Sequence, residues 1–387
     1  MEIERVHRAS ASDSANQHQH KFPSMQSHSA SLAARRPRVT VFIPAFNVER
    51  YVAAAVNSVL AQTFTDFELL VIDDASTDRT VDIVKRFASD QRLRLVEQPR
   101  NLGRARTRNH GLDLAYGDYI AFLDADDCCA PDRLARQVDY LDRNPDIGGV
   151  GSWMAWIEAD GQPLAEKVLK LSLNADTIAW QMLRECAVAQ GSLMLRRTAI
   201  ANYRYDTSFE FAEDYELWSR MIKTTRFANL PAPLTLYRRH PEQSLSVHRR
   251  EQNNVQQIIQ SSQLGRLGVR HDQADLIRHE RLLKFSSRES VLDQTGAPMD
   301  IHYLRWAHRW LEALHRGNAS AQLYPEPAFS YMLSACWVFT ARKSIRLAGL
   351  PAVLKELAIS RLTRIAIAHP VRIRDTQRAA RGRGARY

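Results

Sequence analysis

Tyr119–Asp127 reads YIAFLDADD: an apolar run long enough for one strand, breaking off into three carboxylates. Tyr119–Leu123 carries no charge, as expected of a strand covered on both faces. The same design recurs upstream. Val39–Pro44 (VTVFIP) and Phe67–Ile72 (FELLVI) are strand-like runs, and Leu93–Val96 is a shorter one. Helical stripes alternate with them: Val52, Val56 and Val59, then Val81, Val84 and Phe87, then a helix from about Gly103 to Ala115. Asn47 can cap the first of these helices, and Thr77 or Asp78 the second. Downstream, Pro131 suits a first helical turn, and Leu134, Val138 and Leu141 carry that helix inward. Strands separated by single helices predict right-handed crossovers. The fold class is therefore α/β, a Rossmann-like, mostly parallel sheet with helices on both faces.

Such sheets bind ligands beyond the carboxyl ends of their strands. Pro44–Asn47, Asp73–Asp74 and Asp124–Asp127 all follow predicted strands directly, so they should meet at one sheet edge. Three carboxylates on one short turn, Asp124, Asp126 and Asp127, repel each other unless a cation neutralises them. A hard divalent ion with positions open to phosphate oxygens answers that need; the plainer alternative is a solvated turn capping the Pro131 helix. Asp73 and Asp74 can be helix caps, or can accept hydrogen bonds from a base or a ribose. Asn101–Gly111 (NLGRARTRNHG) joins turn-forming glycines to Arg104, Arg106 and Arg108, a helix start able to hold an anion. The plain reading of these arginines is a solvated helix face. No G-x-G-x-x-G follows the first strand and no G-x-x-x-x-G-K-[ST] occurs, which argues against a dinucleotide cofactor and a Walker-type ATPase.

A second acidic pair, Glu213-Asp214, opens a predicted helix, Glu213–Thr224. Acids suit a first helical turn, but transfer to a hydroxyl also needs a base separate from metal carboxylates. Asp214 is the better candidate and Glu213 the fallback. His240, in LYRRHPEQSLS, is a candidate metal or phosphate ligand or a structural loop histidine. Trp153, Trp156 and Trp218 can line a sugar site or fill the core. Between these motifs the pattern predicts a strand over Gly149–Ile157, a turn at Asp160-Gly161, a helix over Asp176–Cys186, and strands over Ser192–Leu195 and Leu234–Tyr237.

The ends differ from the middle. Residues 1–37 are rich in Ser, His, Gln and Ala and read as a disordered leader, where His18, His20 and His28 are solvated polar residues. Beyond Arg250 only helical periodicity remains. The organisation expected is a leader over 1–37, a catalytic domain over 38–249, a helical region over 250–341 and a basic amphipathic tail over 342–387. That tail holds twelve Lys or Arg against Glu356 and Asp375, a surplus equal to the whole chain's +10. Any anionic partner therefore belongs to the tail. Leu354, Ala358, Leu362 and Ile365 fall near one helical face with Lys355, Arg361 and Arg364 beside it, as for a helix lying on an anionic membrane or docked on its own domain. No nucleic acid is expected. Four cysteines without a C-x-x-C pair suit a reducing cytoplasm, with a peripheral place at the inner membrane face. The longest apolar run, around Ala328–Ala341, stops short of the roughly 20 residues that span a bilayer.

Taken in order, PAFN (Pro44–Asn47), QTFTDFELLVIDDASTD (Gln62–Asp78), NLGRARTRNHG, YIAFLDADD and AEDYELW resemble the inverting family 2 glycosyltransferases of the GT-A fold, over about Arg38 to Ser246. The resemblance implies transfer of a sugar from a nucleotide-sugar donor, UDP first, to a glycan or lipid-linked acceptor in cell-surface glycan synthesis, with Mn or Mg. By the same resemblance Pro44, Phe46 and Asp74 contact the base, Asp124 lies near the ribose, Asp126 ligates the metal and Asp214 is the general base. Asn47, Asp73 and Arg108 complete the expected nucleotide-binding set; Asp124, Asp127 and His240 complete the metal set. Phe46 stands where the family more often has Tyr, and Thr107 where it has Ala. The Q-x-x-R-W signature of processive synthases is missing, which favours single addition. Two other readings stay open: a sugar nucleotidyltransferase, whose G-G-x-G-T-R loop is replaced here by PAFNVER, and a non-catalytic nucleotide-sugar-binding protein.

Overall fold

The computed structural model describes residues 36–241, 249–283 and 299–372. The expected leader therefore lies almost wholly outside the described residues, as does the end of the basic tail. Within them, strands and helices alternate from the start: β1 (Val39–Ala45), α1 (Val52–Leu60), β2 (Phe67–Asp73), α2 (Thr80–Lys85), β3 (Leu93–Glu97), α3 (Arg104–Leu114) and β4 (Tyr119–Phe122). Then come β5 (Cys128–Cys129), α4 (Arg133–Arg143), β6 (Ile147–Ile157), β7 (Pro163–Leu169), α5 (Ala175–Met182), β8 (Met194–Arg196), α6 (Arg197–Ile200), α7 (Glu213–Met221) and β9 (Arg226–Arg238). One sheet takes the order β3-β2-β1-β4-β8-β6-β9-β5, with β7 paired to β6. Pairing is parallel among β3, β2, β1 and β4, as the crossovers require. Beyond β4 the sheet is mixed: β8 runs antiparallel to β4 and β6, while β6 and β9 are parallel.

The unbroken apolar strands have a plain cause. Along β1, Val39, Val41 and Ile43 join Val52, Val56 and Val59 of α1 in one core, whereas Phe42 joins Leu70, Ile72 and Phe122 in the core on the opposite face. A period of two on a sheet with two covered faces favours apolar residues throughout, and the polar exceptions are paired: Thr40 Oγ1 donates to Glu68 Oε1 across β1 and β2. The second core does not stop at the sheet. It runs on through Leu217 and Trp218 of α7 into a helical array: α8 (Arg249–Arg266), α9 (Gln273–Leu283), α10 (Ile301–Ala321), α11 (Ala328–Ala348), α12 (Leu350–Ile359) and α13 (Arg361–Ala368). The change of pattern near Arg250 is thus a change of secondary structure within one continuous core, and contact clustering keeps the chain from Pro37 onward together. No helix among the described residues is long and apolar enough to cross a membrane.

Several boundaries differ from expectation. Asn47 does not cap α1, which begins after Tyr51 without a side-chain cap. Asn47 instead adopts φ 51° and accepts a hydrogen bond from Thr77 N, joining the loops that follow β1 and β2. The last strand begins at Arg226, not Leu234. Pro231 and Pro233 disguised its first half, since proline interrupts a ladder; β6 accommodates them with register shifts on either side of Trp153. The amphipathic stripe expected over 352–368 is split at Ser360, whose hydroxyl caps α13 by accepting from Leu362 N. Val353 and Leu362 are buried, and Trp337 Nε1 donates to Thr363 Oγ1, while Leu354 faces solvent. Trp218 is a core residue, packed on Phe122, Tyr205 and Phe227. Trp153 and Trp156 are half-buried, and Trp153 Nε1 donates to Leu171 O.

Candidate active site

The carboxyl ends of β1, β2 and β4 form the site edge, and their loops are tied together. Asn47 N donates to Ser76 Oγ, Val48 N to Thr80 Oγ1 and Glu49 N to Asp78 Oδ2. This zipper leaves Phe46 standing out, 46% exposed, with Pro44 half-buried behind it.

Asp74 is buried beneath that loop. Its Oδ1 accepts from Gln98 Nε2 and Leu102 N, and its Oδ2 from Gly103 N. Gly103 has φ 83°, a conformation that favours glycine, and it starts α3. Asp74 therefore holds the 98–103 loop in place. Gln98 also donates to Thr107 Oγ1, so the threonine completes this buried network. Asp73 is buried too: Oδ2 accepts from Ser76 N, while Oδ1 has no partner among the described residues.

After β4 the carboxylates diverge. Asp124 Oδ1 accepts from Arg108 Nη2 at 3.1 Å, Asp126 Oδ2 lies 3.0 Å from His240 Nε2, and Asp127 Oδ1 accepts from Arg238 N. Burial raises the carboxyl of Asp124, with Arg108 opposing, and raises that of Asp127 further, with Asp126 and Asp124 adding to the effect. Such carboxylates gain from a nearby cation. A metal ion of the kind implied by the resemblance fits here on three counts. Asp127 Oδ2 is buried with no partner among the described residues. Gly191 leaves room that a Cβ would take, 3.0 Å from Asp124 Oδ2 and 3.5 Å from Asp127 Oδ2. Asp126 and His240 already form an oxygen–nitrogen pair. Among the described residues no three acidic, His or Cys side chains converge as a self-sufficient metal cage.

Arg108 connects this turn to the second acidic pair. Its guanidinium is buried, donating through Nη1 to Glu213 and through Nη2 to Asp124, and its Cζ lies 5.8 Å from the Tyr205 ring centroid. Burial works against its charge, but Glu213 and Asp124 more than offset this and raise its pKa. Arg108 is thus engaged with protein carboxylates on both forks, and Glu213 is engaged in turn by Arg108 and lies 3.8 Å from Arg104 Nε. Asp214 is left as the available carboxylate. Among the described residues its Oδ1 accepts only from the adjacent Tyr215 N, and burial pushes its carboxyl up to about 6, with Glu213 adding and Arg108 opposing. Replacing Arg108 with Met should leave two uncompensated carboxylates. A loss of about 3–5 kcal/mol, read by denaturant unfolding, is expected for breaking such a buried pair.

Sequence reasoning overlooked three residues. Arg238 is buried and donates through N to Asp127, through Nε to Asp126 O and through Nη1 to Glu158 O and Ala159 O, fixing the acidic turn against β9. Tyr51 lies between Arg238 and His240, its ring centroid 4.6 Å from that of His240. Gln98 has no motif around it. Arg238 alone was hinted at, as a neighbour of His240 in LYRRHPE.

A mixed α/β sheet with carboxylate loops on one edge, tied through Arg108 to a second acidic pair, is a GT-A-like fold. The comparisons agree: residues 40–204 match the family described as Glycosyl transferase family 2. An uncharacterized glycosyltransferase of Haemophilus influenzae is 30% identical over 232 residues, 58% of this chain and 72% of that protein. WfgD of Escherichia coli, a UDP-Glc:alpha-D-GlcNAc-diphosphoundecaprenol beta-1,3-glucosyltransferase, is 31% identical over 188 residues, 48% of this chain and 70% of that one. In fold, the chain is similar to S. aureus TarS 1–349 in complex with UDP-GlcNAc, with a TM-score of 0.51 and 18% identity over 80% of this chain and 88% of that one. This protein belongs to glycosyl transferase family 2, and it is a glycosyltransferase.

Proposed function

We propose that the chain transfers a hexose from a UDP-sugar, with inversion, to a hydroxyl of a lipid-linked glycan, one residue per encounter. The observation that carries the reading is the double engagement of Arg108. By donating to Asp124 and Glu213 at once, it ties the acidic turn to the start of α7. Phe46 stacks on the base, and the free lone pair of Asp74 Oδ2 accepts from it. Asp126 and His240 would hold Mn or Mg, with Asp124 and Asp127 beside them. When bound, that ion offsets negative charge on the departing diphosphate. Asp214 Oδ2 receives the proton of the acceptor hydroxyl as its oxygen attacks the anomeric carbon from the opposite face. The C–O bond to the acceptor forms while the bond to the diphosphate breaks, and UDP leaves with that electron pair. The named activity of WfgD, on a diphosphoundecaprenol-linked sugar, supports the donor and acceptor classes. A thermal-shift panel of UDP-, GDP- and dTDP-sugars with Mn tests the donor. Stabilisation by GDP- or dTDP-sugars and not by UDP-sugars overturns that choice.

A lipid-linked acceptor places the enzyme at a membrane surface, peripherally and at the inner face. Supporting this, Leu354, Ile359, Ile367 and Val371 are 54–73% exposed in the basic tail. Exposed apolar side chains beside arginines suit an anionic interface. Truncation after Pro351 is a poor test, because it would strip Val353 and Leu362 from the core around Trp337. Leu354→Glu with Ile367→Glu alters only exposed positions and should abolish sedimentation with anionic liposomes while soluble donor hydrolysis persists. Unchanged sedimentation rejects the membrane contact.

A further inference from the structure

A cavity of about 420 Å³ lies between α10 and α13, remote in sequence from every residue of the donor site. Arg309, Arg316, Arg361 and Arg364 line it, with His308, Glu312 and the exposed Ile359. The positions are seven apart on α10 and three apart on α13, spacings that put each pair on one helix face. Two helices thus border one concavity with four exposed arginines. None of the four forms an ion pair or a side-chain hydrogen bond among the described residues. Glu312, the one carboxylate in the lining, is held by its neighbours: its Oε1 accepts from Arg361 N and Leu362 N at the start of α13 and lies 3.9 Å from His308 Nε2. Four arginines against the single carboxylate of Glu312 leave the lining with a net positive charge, and an anion relieves the remaining repulsion. Arginine forks match phosphate oxygens in pairs, which ammonium groups do not. Arg309 and Arg316 also line an adjoining cavity of about 670 Å³ walled by Trp306 and Trp310, so the site opens sideways as well as outward.

We propose that this cavity is a second anion site, built for a phosphate monoester or diphosphate group and separate from the donor site. Two sources share that chemistry: the headgroup of a membrane lipid, and free phosphate or diphosphate. The test titrates the full chain calorimetrically with inorganic diphosphate without divalent metal, so that the donor site is not engaged. Arg309→Gln/Arg361→Gln is expected to weaken binding about tenfold or more, as two charge-assisted contacts are lost. Arg342→Gln/Arg346→Gln removes the same charge outside the cavity and should bind as the parent does. Metal-dependent donor hydrolysis should be unchanged in both. Sedimentation with phosphatidylcholine vesicles, with and without phosphatidate, separates the sources. Retention that needs phosphatidate, is lost in the cavity variant and is competed by diphosphate assigns the site to a lipid. Diphosphate binding without phosphatidate-dependent retention assigns it to a free anion. Diphosphate affinity that survives in the cavity variant, or falls equally in the control variant, overturns the site.

Discussion

Asp214→Asn should bind UDP-sugar and metal as the parent does and transfer the sugar about 10²–10⁴-fold more slowly, the range for a lost general base. The amide keeps the size of the carboxylate and can still accept from Tyr215 N, so the loss should fall on turnover rather than on folding. The pH profile sharpens the test. A base must be deprotonated to act, and the Asp214 carboxyl is pushed up to about 6, first by burial and then by Glu213. The parent's kcat/KM should therefore fall as pH drops through about 6 and level off above it. Glu213→Gln separates the two acids. It removes the partner of Arg108, so it should lower stability as well as activity, whereas Asp214→Asn should leave the unfolding midpoint nearly in place. Near-normal transfer by Asp214→Asn would move the base role to Glu213.

Asp126→Ala should abolish Mn-dependent binding of UDP while leaving a folded protein. Outer partners of metal ligands already carry about 10–100-fold in metal affinity or activity, and a direct ligand should exceed that. The fold should survive because the side chain of Asp126 is partly exposed and touches His240, while the backbone carbonyl of Asp126 is what Arg238 Nε holds. Asp127→Ala offers the contrast. That side chain is fully buried and accepts from Arg238 N, so its removal should weaken stability as well as binding. Calorimetry of UDP with and without Mn, paired with thermal unfolding, separates the two variants. Equal UDP affinity of parent and Asp126→Ala in the presence of Mn would remove Asp126 from the metal set.

Much of this molecule was legible in its residues. The alternation of β1, β2 and β4 with single helices settles a parallel sheet, because short crossovers are right-handed and each apolar run must be covered on both faces. That geometry alone brings Phe46, Asp74 and the Asp124–Asp127 turn to one edge. Composition likewise located the surplus charge in the tail. These are local or periodic properties, written into neighbouring residues.

What partners those side chains take was decided by tertiary structure. Nothing near Arg108 in sequence shows that it bridges Asp124 and Glu213, 105 residues beyond it. That bridge engages Glu213, while Asp214 Oδ1 accepts from its neighbour Tyr215 N. Nor does the alternation of LPAPL reveal a strand, since two prolines hide a ladder that β6 can accommodate only by shifting register. The tail makes the same point. A helical stripe read from Leu354 to Ile365 was divided by Ser360, and burial against Trp337 selected Leu362 while leaving Leu354 in solvent. Sequence determined which faces and edges exist, because periodicity is local; the structure determined which charges and apolar groups meet, because contact across a hundred residues depends on how the whole core closes.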